Sequence, residues 1–472
     1  MKPYLISFIL SFLGLHMLMA QVSLNDESLA LEDAYYGVLI KRLGSDECLE
    51  AYHQNQRFTP ASLTKLITTA TAIEVLGSDY SYMTSLQYQG HISEDGVLVG
   101  DIVIKGSGDP TLGSPYFHAN TAEILDVWVE AIRASGIKAI DGAVLADASV
   151  FDKQAIPDKW IWEDIGNYYG AGVFGLSVGD NAYDLYFSKV EVGEVAAVDR
   201  IVPSGTHLQF ESQVVGADNN RDNAYIYGSP WHFERVIRGT IPAGREHFKL
   251  RGALANPPLV LADMLKMQLE AKRITVSEPS RVLWSAEASD RQTISVHLSP
   301  KLSDIIRVTN KESHNLYAEH LLKTLVADGK TPATTQDGLD QILDFWESKG
   351  ISTEDIKLYD GSGMSRANLL TPEFVVAVIE YMMTQSAHAD VFFQSLATAG
   401  VDGTFRYFLD GTPLAQITRG KSGSMSGVRC YAGIIEKSPN DKYVFCLMAN
   451  NFIVSQSELI KAMEAYLLQV FE

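Results

Sequence analysis

Phe58-Thr59-Pro60-Ala61-Ser62-Leu63-Thr64-Lys65-Leu66-Ile67, running on to Gly77, reads as a punctuated helix with a candidate nucleophile in its first turn. Thr59 is placed to cap it, Pro60 suits its first position and Gly77 suits its end. Leu63, Leu66, Ile67, Ala70, Ile73 and Leu76 recur at helical spacing, which predicts a mostly buried helix. Ser62 and Lys65 stand three residues apart, so hydroxyl and amine share one face and lie side by side. A serine hydroxyl is a weak nucleophile at neutral pH and needs an adjacent base. A lysine serves if its amine is neutral, which takes burial or a second positive charge nearby. The helix supplies the burial; Lys421, in Lys421-Ser422-Gly423-Ser424, is expected to supply the charge.

The tetrapeptide alone decides little, because Ser135-Gly136-Ile137-Lys138 repeats its spacing. That copy has Gly after the serine and no capped apolar helix, so it reads as a surface turn. Ser313-His314-Asn315 is a second candidate element, and Ser23-Leu24-Asn25 and Ser438-Pro439-Asn440 share its form. One of those precedes Ser62 and the other follows Lys421. Only Ser62, Ser313 and Lys421 fall in a workable order with sensible local structure. Taken singly, Ser313 is as readily a helix cap and Lys421 a solvated charge at a strand end.

Outward from these motifs the chain is ordinary globular material, and its 472 residues suffice for two or three cores. A formal charge of −20 argues against nucleic acid, since phosphate binding needs clustered Lys and Arg. Lys2 and the apolar run Tyr4 to Met19, ending at Ala20-Gln21, have the build of a secretory signal peptide. Leu18, at a position that usually holds a small residue, leaves a membrane anchor as the other reading. No Cys follows the run, which argues against a lipoprotein, and no later run is long enough to span a bilayer.

Residues 37–52 read as a hairpin turning at Gly44-Ser45-Asp46. From 84 to 290 the texture is strand-like, with turns and Gly-rich stretches, and 186–238 is set apart as polar strands. Helical patterns return in LSDIIRVTN, HNLYAEHLLKTL and TPEFVVAVIEYMM. Apolar strands at 428–436 and 442–449 flank Ser438-Pro439-Asn440-Asp441, and a last helix begins near 455. Its Glu458, Glu464 and Glu472 against one Lys461 place it on a sheet and not on a membrane surface. Cys48, Cys430 and Cys446 show no metal-ligand spacing. Cys430 and Cys446 flank the turn almost symmetrically, so they are either two buried thiols or a cross-strand bridge.

The ordered motifs resemble those of the low-molecular-mass class C penicillin-binding proteins, the D-alanyl-D-alanine carboxypeptidase/endopeptidases. The likeness runs through Phe58 to Lys65, Gly106-Ser107-Gly108-Asp109-Pro110-Thr111-Leu112, Tyr169-Gly170-Ala171 with Asn181, and Asn310-Lys311 before Ser313-His314-Asn315. It continues in Asp360-Gly361-Ser362-Gly363-Met364-Ser365-Arg366, Gly400-Val401-Asp402-Gly403-Thr404 and the Lys421 motif. The resemblance implies an α+β, multidomain chain. A penicillin-recognising serine transpeptidase-like domain, an antiparallel sheet flanked by helices, carries inserted β-rich accessory domains. The expected division is a signal peptide at 1–20, transpeptidase-like segments at 21–83 and 292–472, and an insert at 84–291 with a sub-insert near 186–238. The 248 positions from Lys65 to Ser313 exceed what a compact β-lactamase needs there. Two positions depart from the family pattern: His314 stands where Asp is usual and Ser422 where Thr is usual.

The resemblance also implies roles. Lys65 takes the proton of Ser62, which attacks the carbonyl between two D-alanines. Ser313 relays a proton, Asn315 holds the substrate amide, and Lys421 and Ser422 hold its terminal carboxylate. Backbone N–H groups of Ser62 and Ser424, beside Gly423, form the oxyanion hole. Neither metal nor organic cofactor is implied. The partners are peptidoglycan stem peptides, with β-lactams as covalent inhibitors, and the place is the periplasm after export. Asp147 and Arg366 are assigned to the ammonium and carboxylate of a diamino acid, against the plainer reading of a turn cap and a surface ion pair. A β-lactamase and a catalytically silent wall-binding scaffold are the rival functions; Glu163-x-x-x-Asn167, the β-lactamase-like pattern, falls on the wrong side of Ser313.

Overall fold

The computed structural model describes residues 31, 34–118, 121–285 and 290–472, so the expected signal peptide lies outside the described residues. Its central element is a six-stranded antiparallel sheet. The spatial order is Ala397–Thr398, Thr418–Met425, Val428–Ser438, Asp441–Asn450, Tyr35–Arg42 and Cys48–Tyr52. The middle strands read as near-continuous apolar runs because both faces are covered. Alternation assigns the faces. Leu39, Cys430, Ala432, Ile434, Val444, Cys446 and Met448 join one core with the Thr64–Leu76 helix. Val38, Ile40, Tyr431, Phe445 and Leu447 join another with Leu459, Met463 and Tyr466 of the closing Gln456–Phe471 helix, which therefore packs on the sheet. Ser455 caps that helix in a capping box with Glu458.

Cys430 pairs in register with Met448 and Cys446 with Ala432, so the two thiols point to one face two residues out of step. Both are free and buried, and burial pushes the Cys430 thiol up to about 12. They act as small hydrophobes.

The stretch between Leu76 and Leu302 builds a seven-stranded mixed sheet. Met83–Ile92 pairs antiparallel with Val97–Lys105, which runs parallel to Ala139–Asp141 and Val144–Asp147. The strand-like texture holds for most of this stretch. Two helices, Thr121–Ala134 and Pro257–Ala271, lie among the strands and cover one face, burying Ile124, Trp128, Leu261 and Leu265 against Leu86, Ile102, Ile104 and Val144. Two three-stranded sheets complete the region, and their Leu185, Val214, Ile226 and Ile237 belong to the same apolar cluster.

The entry to the Thr64–Leu76 helix differs from the reading of its cap. A 3-10 turn, Ala61–Leu63, precedes the α-helix, and no side chain caps either segment. Thr59 instead donates its hydroxyl to the Arg366 carbonyl at 3.3 Å, while its N–H goes to Asn450 Oδ1 at 2.7 Å. The turn is held by tertiary contacts, which releases the threonine from capping. Gly77 ends the helix as expected, its N–H on the Ile73 carbonyl and its φ at +84°.

Candidate active site

Close approach of three segments makes the site. Gly363, at φ +85°, lies where a Cβ would meet the Ala61 carbonyl oxygen at 1.9 Å, and a Cβ on Gly423 would meet the Pro60 oxygen at 2.3 Å. Glycine at both lets the 360–366 loop and the Thr418–Met425 strand close on the turn that carries Ser62. Every residue from Thr64 to Ile73 is buried. The polar ones have partners: Thr68 donates to the Gly361 carbonyl at 2.7 Å, and Asn310 spans Thr69 and Ser395.

Lys65, fully buried, directs Nζ to three oxygens: Ser62 Oγ at 3.0 Å, Asn315 Oδ1 at 2.6 Å and the Ser362 carbonyl at 2.6 Å. Burial lowers its pKa to about 7, against the opposing charges of Asp360 and Glu319. A group balanced there can hold or release a proton near neutrality. Lys421, also fully buried, donates to Ser313 Oγ at 2.9 Å and to the Ser422 carbonyl at 2.6 Å. The two hydroxyls are thus each paired with a buried amine. Lys421 was expected to depress Lys65. Burial lowers Lys65, and burial with the neighbouring charges of Lys65 and Arg429 lowers Lys421; repulsion between the two amines is reciprocal, so a proton on either disfavours one on the other.

Ser313 is not the cap of the Asn315–Thr324 helix; His314 takes that position. Ser313 sits in the left-handed region at φ +58°, a conformation costing on the order of 1–3 kcal/mol that surrounding contacts must hold. Asn315 donates to the Tyr169 carbonyl at 2.8 Å as it accepts from Lys65, so its amide is fixed at both ends. His314 turns away from the amines. Its ring stacks on Tyr317 with centroids 4.0 Å apart and faces Asp180, Nε2 to Oδ2 3.5 Å. Burial pushes the Asp180 carboxyl up, yet His314, Ser114 and Tyr317 outweigh it and hold it low.

Behind Lys65 is a carboxylate that the motif reading passed over. Glu319, one helical turn after Asn315, accepts the N–H groups of Gly361 (3.1 Å) and Ser362 (2.7 Å) and so aims the Ser362 carbonyl at Lys65. Burial and then the Asp360 charge push its carboxyl up. Asp360 in turn accepts from Gly363, Ser365, Asn368 and Trp160. The i, i+4 spacing of Asn315 and Glu319 was the available signal.

Two candidates remain, Asp147 and Arg366. Asp147, expected at the cleft, is buried at the end of Val144–Asp147, where it pairs with Arg291 and caps Ser149. It lines a separate cavity of about 670 Å³ with Lys105, Ser107 and Lys330. There the carboxylate has a guanidinium as its partner, where the sequence pointed to a ligand ammonium. Arg366 does lie at the site, its guanidinium on the Ser426 carbonyl at 3.2 Å, two residues beyond exposed Ser424. The carboxylate whose charge reaches Arg366 is Asp164, which also takes a hydrogen bond from Tyr169. Burial raises the Asp164 carboxyl.

The look-alikes fall out. Ser135 returns its hydroxyl to the Ala131 carbonyl at 3.0 Å, at the end of Thr121–Ala134. Asn167 joins the Glu163 carbonyl to the Ile226 N–H, a structural clasp.

A serine and a buried lysine on one turn, with a second serine–lysine pair opposite, form a general nucleophile-and-base device. Comparison with known proteins places it: residues 18–470 match the D-Ala-D-Ala carboxypeptidase 3 (S13) family. The chain belongs to that family. As an S13 enzyme it is a serine-type D-Ala-D-Ala peptidase of the penicillin-binding class. The S13 chain is 28% identical over 437 residues to a D-alanyl-D-alanine carboxypeptidase of Actinomadura sp. (strain R39), covering 90% of this chain and 79% of that one. It is 26% identical to the D-alanyl-D-alanine carboxypeptidase DacB of Haemophilus influenzae, over 96% and 93% of the two chains. The crystal structure of penicillin binding protein 4 (dacB) from Haemophilus influenzae shares its fold, with TM-score 0.81 at 24% identity over 94% and 98% of the chains.

Proposed function

We propose that Ser62 attacks the carbonyl between two D-alanines of a peptidoglycan stem peptide, with Lys65 as the base that takes its proton. The observation that carries this is the fully buried Lys65 amine at 3.0 Å from Ser62 Oγ. Ser313, bonded to Lys421, relays a proton to the leaving amine. Asn315 binds the substrate amide, Lys421 and Ser422 its carboxylate, and the N–H groups of Ser62 and Ser424 the oxyanion. Water then frees the acyl-enzyme. Terminal D-alanine and a cross-linked diamino acid are alternative leaving groups of one acylation, and mass spectrometry of products from peptidoglycan fragments separates them. The domain division at 84 and 291, export by the 1–20 segment and residence in the periplasm belong to the same proposal. Among the described residues no helix is long and apolar enough to cross a membrane.

Labelled penicillin is expected to modify Ser62 alone, at one label per active molecule. A labelled peptide around Ser135, or active protein that takes no label, would sink the reading.

A pH dependence follows from the lysine. With its pKa lowered to about 7, Lys65 is mostly protonated at pH 5 and mostly neutral at pH 9. Acylation needs the neutral form, so its rate should rise about tenfold per unit up to the region of 7 and then level off. A stopped-flow profile that is flat from pH 5 to 8 would rule out Lys65 as the base.

The proposal extends to substrate choice. The preference for a stem peptide ending in a diamino acid needs a carboxylate for the free ammonium and a cation for the neighbouring carboxylate. Asp164 and Arg366 meet that need, since both lie beside the strand that carries Ser424 or beside Tyr169, whose carbonyl holds Asn315.

A further inference from the structure

The surroundings of His314 show how the turn that carries it is held. The ring stands over Tyr317 and takes the edge of Tyr116 at 5.6 Å, 82° from coplanar. Beyond it Asp180, itself in the left-handed region at φ +58°, presents Oδ2 at 3.5 Å and receives the Tyr317 hydroxyl on Oδ1 at 3.2 Å. That same hydroxyl reaches Ser114 at 2.6 Å. One face of the Asn315–Thr324 helix continues the contact, His320 meeting Ser177 at 3.1 Å and the Gly108 carbonyl at 2.7 Å. Asp180, Ser114, Ser177 and Gly108 all lie in the segment between the two halves of the catalytic machinery. The turn that aims Ser313 and Asn315 is therefore gripped by the segment before it, and the grip nearest the hydroxyl is His314.

An Asp at 314 would bring a second carboxylate toward Asp180, which is buried. Like charges so placed cost several-fold to many-fold in whatever they support.

We infer that His314 and Asp180 are a positioning pair, which holds Ser313 and Asn315 in register with Lys421 and Lys65. Neither residue touches the reacting atoms. The pair acts through the backbone of Ser313, whose conformation costs energy and so depends on its anchors. This rests on the acylation reading, which the wild-type penicillin burst tests by itself.

The experiment is a mutant cycle read as penicillin acylation of folded, burst-titrated protein, with the noncovalent step separated from the chemical one. His314→Asp is expected to slow the chemical step about tenfold or more, with little change in noncovalent binding. Adding Asp180→Asn to it should recover most of the loss, because the facing carboxylate is gone. A His314→Asp protein that acylates at the wild-type rate, or a double variant no faster than the single, overturns the inference. Should His314→Asp fail to fold, His314→Gln and Asp180→Asn give the same decision. The two losses must not add when combined, whereas additive losses would show two independent structural roles.

Discussion

Lys65→Arg is expected to lower acylation of Ser62 by about 10²- to 10⁴-fold, the usual range for removing a general base. A guanidinium keeps its proton at every accessible pH, so it can donate to Ser62 Oγ but never accept from it. The three oxygens around Nζ would then hold a permanent cation, with Asp360 and Glu319 near enough to stabilise it. Arg is also larger than the fully buried space around Lys65. Lys65→Met therefore belongs beside it, being close in volume and without a charge. Both variants should unfold cooperatively and both should fail to acylate. Acylation at the wild-type rate in folded Lys65→Arg would refute the assignment of the base and move attention to Lys421.

Asp164→Ala should slow hydrolysis of stem peptides bearing a free ammonium, and spare both N-acylated peptides and penicillin acylation. Losing one partner of a desolvated charge pair costs about 2–5 kcal/mol, some tens- to thousands-fold in rate. The comparison among three substrates matters because Asp164 also receives the Tyr169 hydroxyl, and Tyr169 fixes Asn315 through its carbonyl. Equal slowing of all three would mean that Asp164 supports Asn315 and does not read the substrate. The same change at Asp147 removes a partner of Arg291, and its effect should be the same on every substrate.

What the sequence disclosed depended on how local the signal was. Ser62 and Lys65 are one helical turn apart, and the helix that holds them announces itself by its apolar spacing. Strands 428–438 and 441–450 did so by continuous apolar character about a turn. Glu319 was hidden because its task is to orient the Ser362 carbonyl, a backbone group 43 residues away with no side-chain signature. Asp164 was lost to its neighbour: Glu163 formed a look-alike pattern with Asn167, and the pattern was dismissed whole. The Arg291 partner of Asp147 was not legible, because it is 144 positions distant. The helices of 121–134 and 257–271 carry punctuation too, Gly136 after the first and Pro257-Pro258 opening the second, but they lie between short strands whose texture set the reading. Thr59 looked like a cap because spacing cannot reveal that Arg366 would claim its hydroxyl.

The strand Tyr35–Arg42 pairs with Asp441–Asn450, about 400 residues later in the chain. Chain closure over such a distance costs little at equilibrium, since each doubling of length adds only about 0.6 kcal/mol. It governs timing, because non-local pairing is slow and has to wait for its partner to be made. Lys65 is desolvated by a core that includes Cys430, Ala432 and Met448 of the last strands. In a nascent or half-folded chain those residues have not arrived, and the amine remains in water as an ordinary ammonium. Ser62 then has no desolvated amine beside it. The fold thus withholds reactivity from the unfinished chain: peptidase power appears only when the last strands have closed the sheet, at the end of assembly.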